Sequence, residues 1–331
     1  MKKTKIRIGM KSIISKCITY VGLAVLVMLI LYVFFYILPL LLPLVRKCAF
    51  QSGELIDYGL MGDSYGLFNA LFSGLAFIGV LLTLCLQSRD SKKRKVVEQY
   101  YQMLDVQQKV IDEINVAQVR KGKQGESLAT AKGRKAFVEF KIQMKYLVNA
   151  IKEVSERNGF EFSDIDIADI AYAVFFYGSS KMWKPFMMEY LKDYPETERL
   201  VDAIIARLDV EKRFILYRPN QNYLSVYFRN MYNAIKLIDN CKLINAEEKM
   251  DYVKILRAQL SNAELYILFF NLISRFGKKW IDNDYVSKYQ LIQNLPSKYC
   301  DGYNPKDFFP EIKFESEELG LSPFKAQVVQ R

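Results

Sequence analysis

Gly62-Asp63-Ser64-Tyr65-Gly66-Leu67-Phe68-Asn69-Ala70-Leu71-Phe72-Ser73-Gly74-Leu75 opens an apolar run that carries no charge from Ser64 to Leu86. As a helix rising about 1.5 Å per residue, such a run is long enough to cross a hydrocarbon layer about 30 Å thick. At about 100° per residue, Gly66, Asn69, Ala70, Ser73 and Gly74 fall on one side of that helix. Leu67, Leu71, Leu75, Ile78 and Leu82 fall on the other. Small residues let helix backbones approach closely in lipid, so the first side is a packing face.

An earlier run, Ile18 to Val45, is also free of charge and longer than a span requires. It must tilt, kink or protrude, and Pro39 and Pro43 put the distortion in its last turns. A cleaved signal peptide would share the basic start, but its apolar core is only about 7 to 15 residues long. No small-x-small cleavage site follows this run, and Cys48 lacks a lipoprotein context. Retention as a membrane span is expected.

Orientation follows from the basic residues. Lys2, Lys3, Lys5, Arg7, Lys11 and Lys16 precede the first run, and Arg89, Lys92, Lys93, Arg94 and Lys95 follow the second. The connecting segment sets Arg46 and Lys47 against Glu54, Asp57 and Asp63. The positive-inside rule places both ends in the cytoplasm. The expected organisation is a basic cytoplasmic N-terminus (1–17), transmembrane helix 1 (18–45), a short periplasmic loop (46–63), transmembrane helix 2 (64–87) and a cytoplasmic helical domain (88–331). The fold class is all-α, and the place is a bacterial inner membrane.

The net charge of +11 is mostly topological. Residues 1–17 carry +6 and residues 89–95 carry +4, while the domain that follows carries only +2. Within it, Arg120, Lys121, Lys123, Lys132, Arg134, Lys135, Lys141 and Lys145 form a basic stretch with only Glu126 and Glu139 against them. Anionic lipid, or a nucleic-acid backbone, is the partner such a patch suits. Histidine is absent, which removes His bases, Ser-His-Asp and Cys-His constellations and His metal ligands. The five cysteines show no CxxC spacing, so neither zinc nor a disulfide framework is expected. Gly122-Lys123-Gln124-Gly125 lacks the order of a phosphate loop and reads as a flexible turn. No cofactor, metal or catalytic residue is assigned.

The cytoplasmic part is patterned for helices. Val96, Tyr100, Met103, Gln107, Val110 and Ile114 step by threes and fours, continuing the second span. A break at Lys121 to Gly133 precedes a second stripe, Phe137, Phe140, Met144, Leu147, Ile151 and Val154, expected to pack antiparallel on the first. Asn158-Gly159 ends that helix, Ser163 with Asp166 starts the next, and Phe175-Phe176-Tyr177-Gly178 closes it. Leu224, Tyr227, Phe228, Met231, Ala234, Ile235 and Ile238 form a further stripe, and Asn245 with Glu248 is another N-terminal signal. Ser261 and Glu264 fit a capping box that introduces Leu265 to Ile273. Arg257, in the last turn before it, is expected to pair with Glu264 at the helix corner; a ligand pocket including Arg229 is the functional alternative.

Four segments carry a resemblance: GDSYGLFNALFSGLAFIGVLLTLCLQ (62–87), KGRKAFVEF (132–140), YFRNMYNAIKLID (227–239) and RAQLSNAELYILFFNLIS (257–274). In order and spacing they resemble the phage abortive-infection proteins of the AbiC-like group. The plan is also similar to that of the two-span membrane effectors encoded beside a reverse transcriptase in some retrons. The resemblance implies bacterial anti-phage defence, with the membrane protein as the toxic component. The family's segments fall on Gly62, Asp63, Gly66, Asn69 and Gly74, and inside on Arg229, Arg257, Ser261 and Glu264, as structural or signalling positions. The implied partners are the lipid bilayer, further copies of the chain, a phage-derived trigger, and a reverse transcriptase with its RNA–DNA (msDNA) product as inhibitor.

Two classes of function follow. In one, a non-enzymatic effector assembles through the Gly66/Ala70/Gly74 face and depolarises the membrane. In the other, a tethered nucleic-acid binder or metal-dependent nuclease or nucleotidase uses paired acids such as Asp164 with Asp166, or Asp282 with Asp284.

Overall fold

The computed structural model describes residues 32, 54–122, 125–180, 182–210 and 219–315. The basic N-terminus, the first expected span (Tyr32 excepted) and residues 46–53 of the expected loop lie outside the described residues. The chain divides into two compact units, Met1–Leu86 and Gln87–Arg331.

Helix α1 runs Glu54–Glu113, so residues 54–63, read from the sequence as loop, are helical. Its apolar part from Asn69 onward is exposed on every side. Among the described residues α1 is the one helix long and apolar enough to cross a membrane. A two-helix hairpin therefore remains an expectation for its first member.

In the second unit α1 leads into an antiparallel ribbon, β1 (Asn115–Gly122) and β2 (Gly125–Lys132). Asn115 pairs with Lys132 and Gly122 with Gly125. Where the sequence suggested a flexible break, Gly122 and Gly125 bracket a two-residue connection of the kind that closes a tight hairpin. The fold is mostly helical as expected, with this ribbon added.

The remaining helices are α2 (Arg134–Asn158), α3 (Asp164–Tyr177), α4 (Lys184–Leu191), α5 (Thr197–Val210), α6 (Gln221–Asn240), α7 (Ala246–Ala258) and α8 (Asn262–Ile273). Short turns follow: a 3-10 turn Arg275–Gly277, α9 (Lys278–Asp282), α10 (Tyr285–Lys288), a second 3-10 turn Ser297–Tyr299 and α11 (Pro305–Phe308).

Two helices form the centre because they are apolar all round. Every residue from Ile167 to Phe176 of α3 and from Ala263 to Leu272 of α8 is buried. Full burial of a Leu, Ile or Phe stabilises by about 1.5–3 kcal/mol, so the Leu265–Phe270 run anchors the unit. At about 18 Å, α8 is also too short to span lipid. Amphipathic α2 lays Phe137, Phe140, Met144, Leu147, Ile151 and Val154 onto this centre, all buried as the stripe requires. Its main partners are α3, α8 and α5. The pairing expected with α1 gives way to these, although the ribbon returns the start of α2 to the end of α1, where Gly133 N–H donates to the Ile114 carbonyl at 3.0 Å.

The second half of α1 is tied instead to α6 and α7. Tyr100, fully buried, donates its hydroxyl to the Tyr252 carbonyl at 2.6 Å. Asn230 Nδ2 donates to the Met103 carbonyl and to Gln107 Oε1, both at 2.8 Å. Lys93 pairs with Glu248 at 2.8 Å.

Helix ends follow local chemistry. Ser163 with Asp166, Asn245 with Glu248 and Ser261 with Glu264 all form complete capping boxes. Helix α2 ends at Gly159, whose φ of 71° is left-handed and suits a residue without Cβ.

Candidate functional site

The packing face on α1 is open. Gly66, Asn69, Ala70, Ser73 and Gly74 are exposed. Among the described residues a Cβ built on Gly66 or Gly74 meets nothing within 4 Å. Leu71, Leu75, Ile78 and Leu82, on the opposite side, are each more than half exposed. At about 100° per residue, Phe77, Val80, Leu81 and Leu84 come round to the same sector as the glycines. The small-residue seam therefore occupies only the turns from Gly66 to Gly74, and bulky residues close it further on. Thr83, the hydroxyl nearest this bulky part, is satisfied within the helix by donating to the Gly79 carbonyl at 2.8 Å. Contiguous exposed apolar surface of this kind marks contact with lipid or with another protein surface. Gly62 and Asp63 lie in the helical backbone just ahead of the seam.

The second group of candidate residues meets at the start of α8. Glu264 is fully buried and accepts three hydrogen bonds: from Tyr227 OH at 3.0 Å, from Ser261 N–H at 2.9 Å and from Ser261 Oγ at 2.6 Å. Its charge sits at a helix N-terminus, where the backbone dipole favours it. Burial, followed by the neighbouring carboxylate, pushes the Tyr227 phenol well above its ordinary range, so it stays a donor.

Arg257 does not pair with Glu264. It is buried, and donates from Nη2 to Gln293 Oε1 at 2.7 Å and Asn294 Oδ1 at 3.0 Å, and from Nη1 to the Tyr289 carbonyl at 3.3 Å. Burial lowers its pKa, and Glu315 opposes that shift. The corner is thus two separate devices: a carboxylate cap on α8, and a guanidinium that gathers the loop after α10. Arg229 is exposed on α6 and joins neither, so the three residues do not converge on one pocket.

Part of the basic stretch is engaged within the chain. Lys141 donates to the Tyr299 carbonyl at 2.9 Å and sits over the Tyr299 ring, 3.1 Å from its centre. Lys145 pairs with Asp301 at 2.8 Å, and Arg134 donates to Gln108 at 3.3 Å. Lys132 and Lys135 are exposed, Arg120 and Lys121 lie in β1, and Lys123 is outside the described residues.

Of the paired acids, Asp166 completes the cap with Ser163, Asp164 lies 3.3 Å from Lys152, and Asp284 holds a left-handed turn at φ 54°. Among the described residues no group of three His, Cys, Asp or Glu side chains is placed to hold a metal ion.

Sequence reasoning missed a heavily bonded carboxylate. Asp169, buried in α3, accepts from Tyr190 OH at 2.8 Å, Tyr194 OH at 2.9 Å, Arg275 N–H at 2.8 Å and Arg275 Nε at 2.9 Å. Arg275 also lies 4.4 Å from the Tyr190 ring centre and 3.1 Å from Asp193. The signal was an acid placed inside an otherwise apolar helix, which demands a partner.

Residues 219–299 match the family model described as Putative phage abortive infection protein. The match spans α6, α7, α8 and the turns after them, and contains Arg229, Arg257, Ser261 and Glu264. The match covers about a quarter of the chain; it supports the AbiC-like resemblance and suggests a phage-defence role. No curated protein and no solved structure matches the chain.

Proposed function

We propose that this chain is a non-enzymatic membrane effector of a bacterial abortive-infection system. In this reading two N-terminal helices anchor it in the inner membrane with both termini in the cytoplasm, and infection triggers assembly that dissipates the membrane potential. The observation that carries the reading is the exposed seam from Gly66 to Gly74 on an apolar helix, in a chain whose cytoplasmic unit matches a phage-defence family. Helix-to-helix polar contacts in lipid contribute only about 0.6–2 kcal/mol each, so Asn69 and Ser73 alone give weak association. Control then rests with the cytoplasmic unit, which holds the helices apart or together according to what binds it. A reverse transcriptase with its RNA–DNA product is the inhibitor proposed for that role.

Leucine at Gly66 and Gly74 tests the seam. The double variant should still insert and fold, because a Cβ at either position meets nothing within 4 Å among the described residues. It should lose both phage protection and toxicity. Full protection by an inserted Gly66→Leu/Gly74→Leu protein would refute the seam as the working surface.

A further inference from the structure

The β1–β2 ribbon has two strands and therefore two unpaired edges among the described residues. A two-stranded ribbon is marginal by itself in water, and a bare edge is a template for another strand. The register fixes which backbone groups are bare. Gly133 N–H donates to the Ile114 carbonyl at 3.0 Å, and the ladder continues from Asn115 opposite Lys132 to Gly122 opposite Gly125. In an antiparallel pair the hydrogen-bonded positions alternate. Odd-numbered β2 positions therefore turn their backbone groups toward β1, and positions 126, 128, 130 and 132 turn theirs to the open edge. Thr130 and Lys132 are exposed and Ala129 is half-buried, which leaves the edge accessible from residue 129 to residue 132.

We propose that β2 pairs with β2 of a second copy of this chain, antiparallel about a two-fold axis through Ala129, to make a four-stranded sheet across the dimer. In this register every outward position meets an outward position: 126 meets 132, and 128 meets 130. The two charged positions of the strand become complementary, Glu126 opposite the partner's Lys132 and Lys132 opposite the partner's Glu126. Ala129 faces its own copy in a non-hydrogen-bonded pair, where the strands approach most closely and a small side chain fits. Strand β1 has no such self-complementarity, since Arg120 and Lys121 stand without an acid between residues 115 and 122. Pairing β1 with the partner's β2 would be heterologous, so each added copy would present the same β2 or β1 edge again and the contact would propagate, whereas a two-fold contact uses the β2 edge of both copies and stops at two. The two-fold β2 contact closes. It deepens the self-assembly in the proposed function and rests on that reading for its consequence, but it makes its own structural claim.

Disulfide trapping of the full chain in native membranes tests it. Opposed Cα atoms in a non-hydrogen-bonded pair are about 4.5 Å apart, within disulfide range. Ala129→Cys should give a covalent dimer under mild oxidation, well above the background from the chain's own cysteines. Ser127→Cys, whose two copies lie four positions out of register at about 3.3 Å each, should not. Glu126→Lys or Lys132→Glu added to Ala129→Cys should each reduce the trapped dimer severalfold, and the exchange Glu126→Lys/Lys132→Glu should restore it. Equal trapping at positions 127 and 129, or no restoration by the exchange, would overturn the proposal. Because trapping is read without any phage, growth arrest with the membrane potential intact in infected cells that still trap at Ala129 would count against the effector reading and leave the dimer standing.

Discussion

Replacing Glu264 with alanine should be among the most destabilising single changes in the second unit. The change removes the acceptor that completes the capping box on α8, worth about 1 kcal/mol. It also leaves the hydroxyl of fully buried Tyr227 without its acceptor, at about 1–3 kcal/mol. The cavity left by a buried methylene and carboxylate adds about 1 kcal/mol. The total is about 3–5 kcal/mol, which for a unit of this size lowers Tm by roughly 6–20 °C. Tyr227→Phe removes the donor together with its need for a partner and should cost only about 1.5–3 kcal/mol. The double variant should therefore be more stable than the sum of the two losses predicts, by about 1–3 kcal/mol, because the stranded hydroxyl is gone. Thermal unfolding of the full chain in detergent, followed by near-ultraviolet circular dichroism, reads all three. A Glu264→Ala protein within about 2 °C of the parent, or strict additivity of the pair, would refute the reasoning.

Other expectations follow from the same packing. Asp169→Asn should cost about 2–3 kcal/mol, since the amide cannot match four donors, while Arg275 keeps Asp193 and partial solvent contact; denaturant titration measures it. Gly277→Ala should cost at least about 2 kcal/mol by the same titration, because the new methyl would lie 2.4 Å from the Asn271 carbonyl oxygen and 2.5 Å from Leu272 Cα, both backbone atoms. Burial pushes the Cys300 thiol up to about 12, so the folded chain keeps a proton that the unfolded chain releases above about pH 9. That contribution is fully present below pH 9 and is lost as pH rises toward 12, with a slope of up to about 1.4 kcal/mol per pH unit. Cys300→Ala should flatten the stability profile between pH 9 and 10, whatever its effect at pH 7.

The readable parts of the chain were those decided within a few residues. Ser163 and Asp166, Asn245 and Glu248, and Ser261 and Glu264 announce their caps because donor and acceptor are three positions apart. The buried stripe of α2 was legible because its period is that of the helix. The ribbon was not: Gly122 and Gly125 mark a turn equally well in a loop or a hairpin, and the strands around them are short and polar. Arg257 was assigned to Glu264, its neighbour along the chain. Its real partners, Tyr289, Gln293 and Asn294, are brought to it only by the folding of the segment after α10. Asp169 and Arg275 lie more than a hundred residues apart, and nothing local in either helix names the other. The small-residue seam was visible in the sequence, whereas its end, where Phe77 and Leu81 enter the same sector, emerges only when the helix is followed past Gly74.

The central claim is that this protein acts on the membrane itself. A potential-sensitive dye, followed in infected cells alongside culture density, tests it most directly. Depolarisation should begin before growth stops in cells carrying the chain, and should be absent in cells carrying Gly66→Leu/Gly74→Leu. Growth arrest with the potential intact would contradict it.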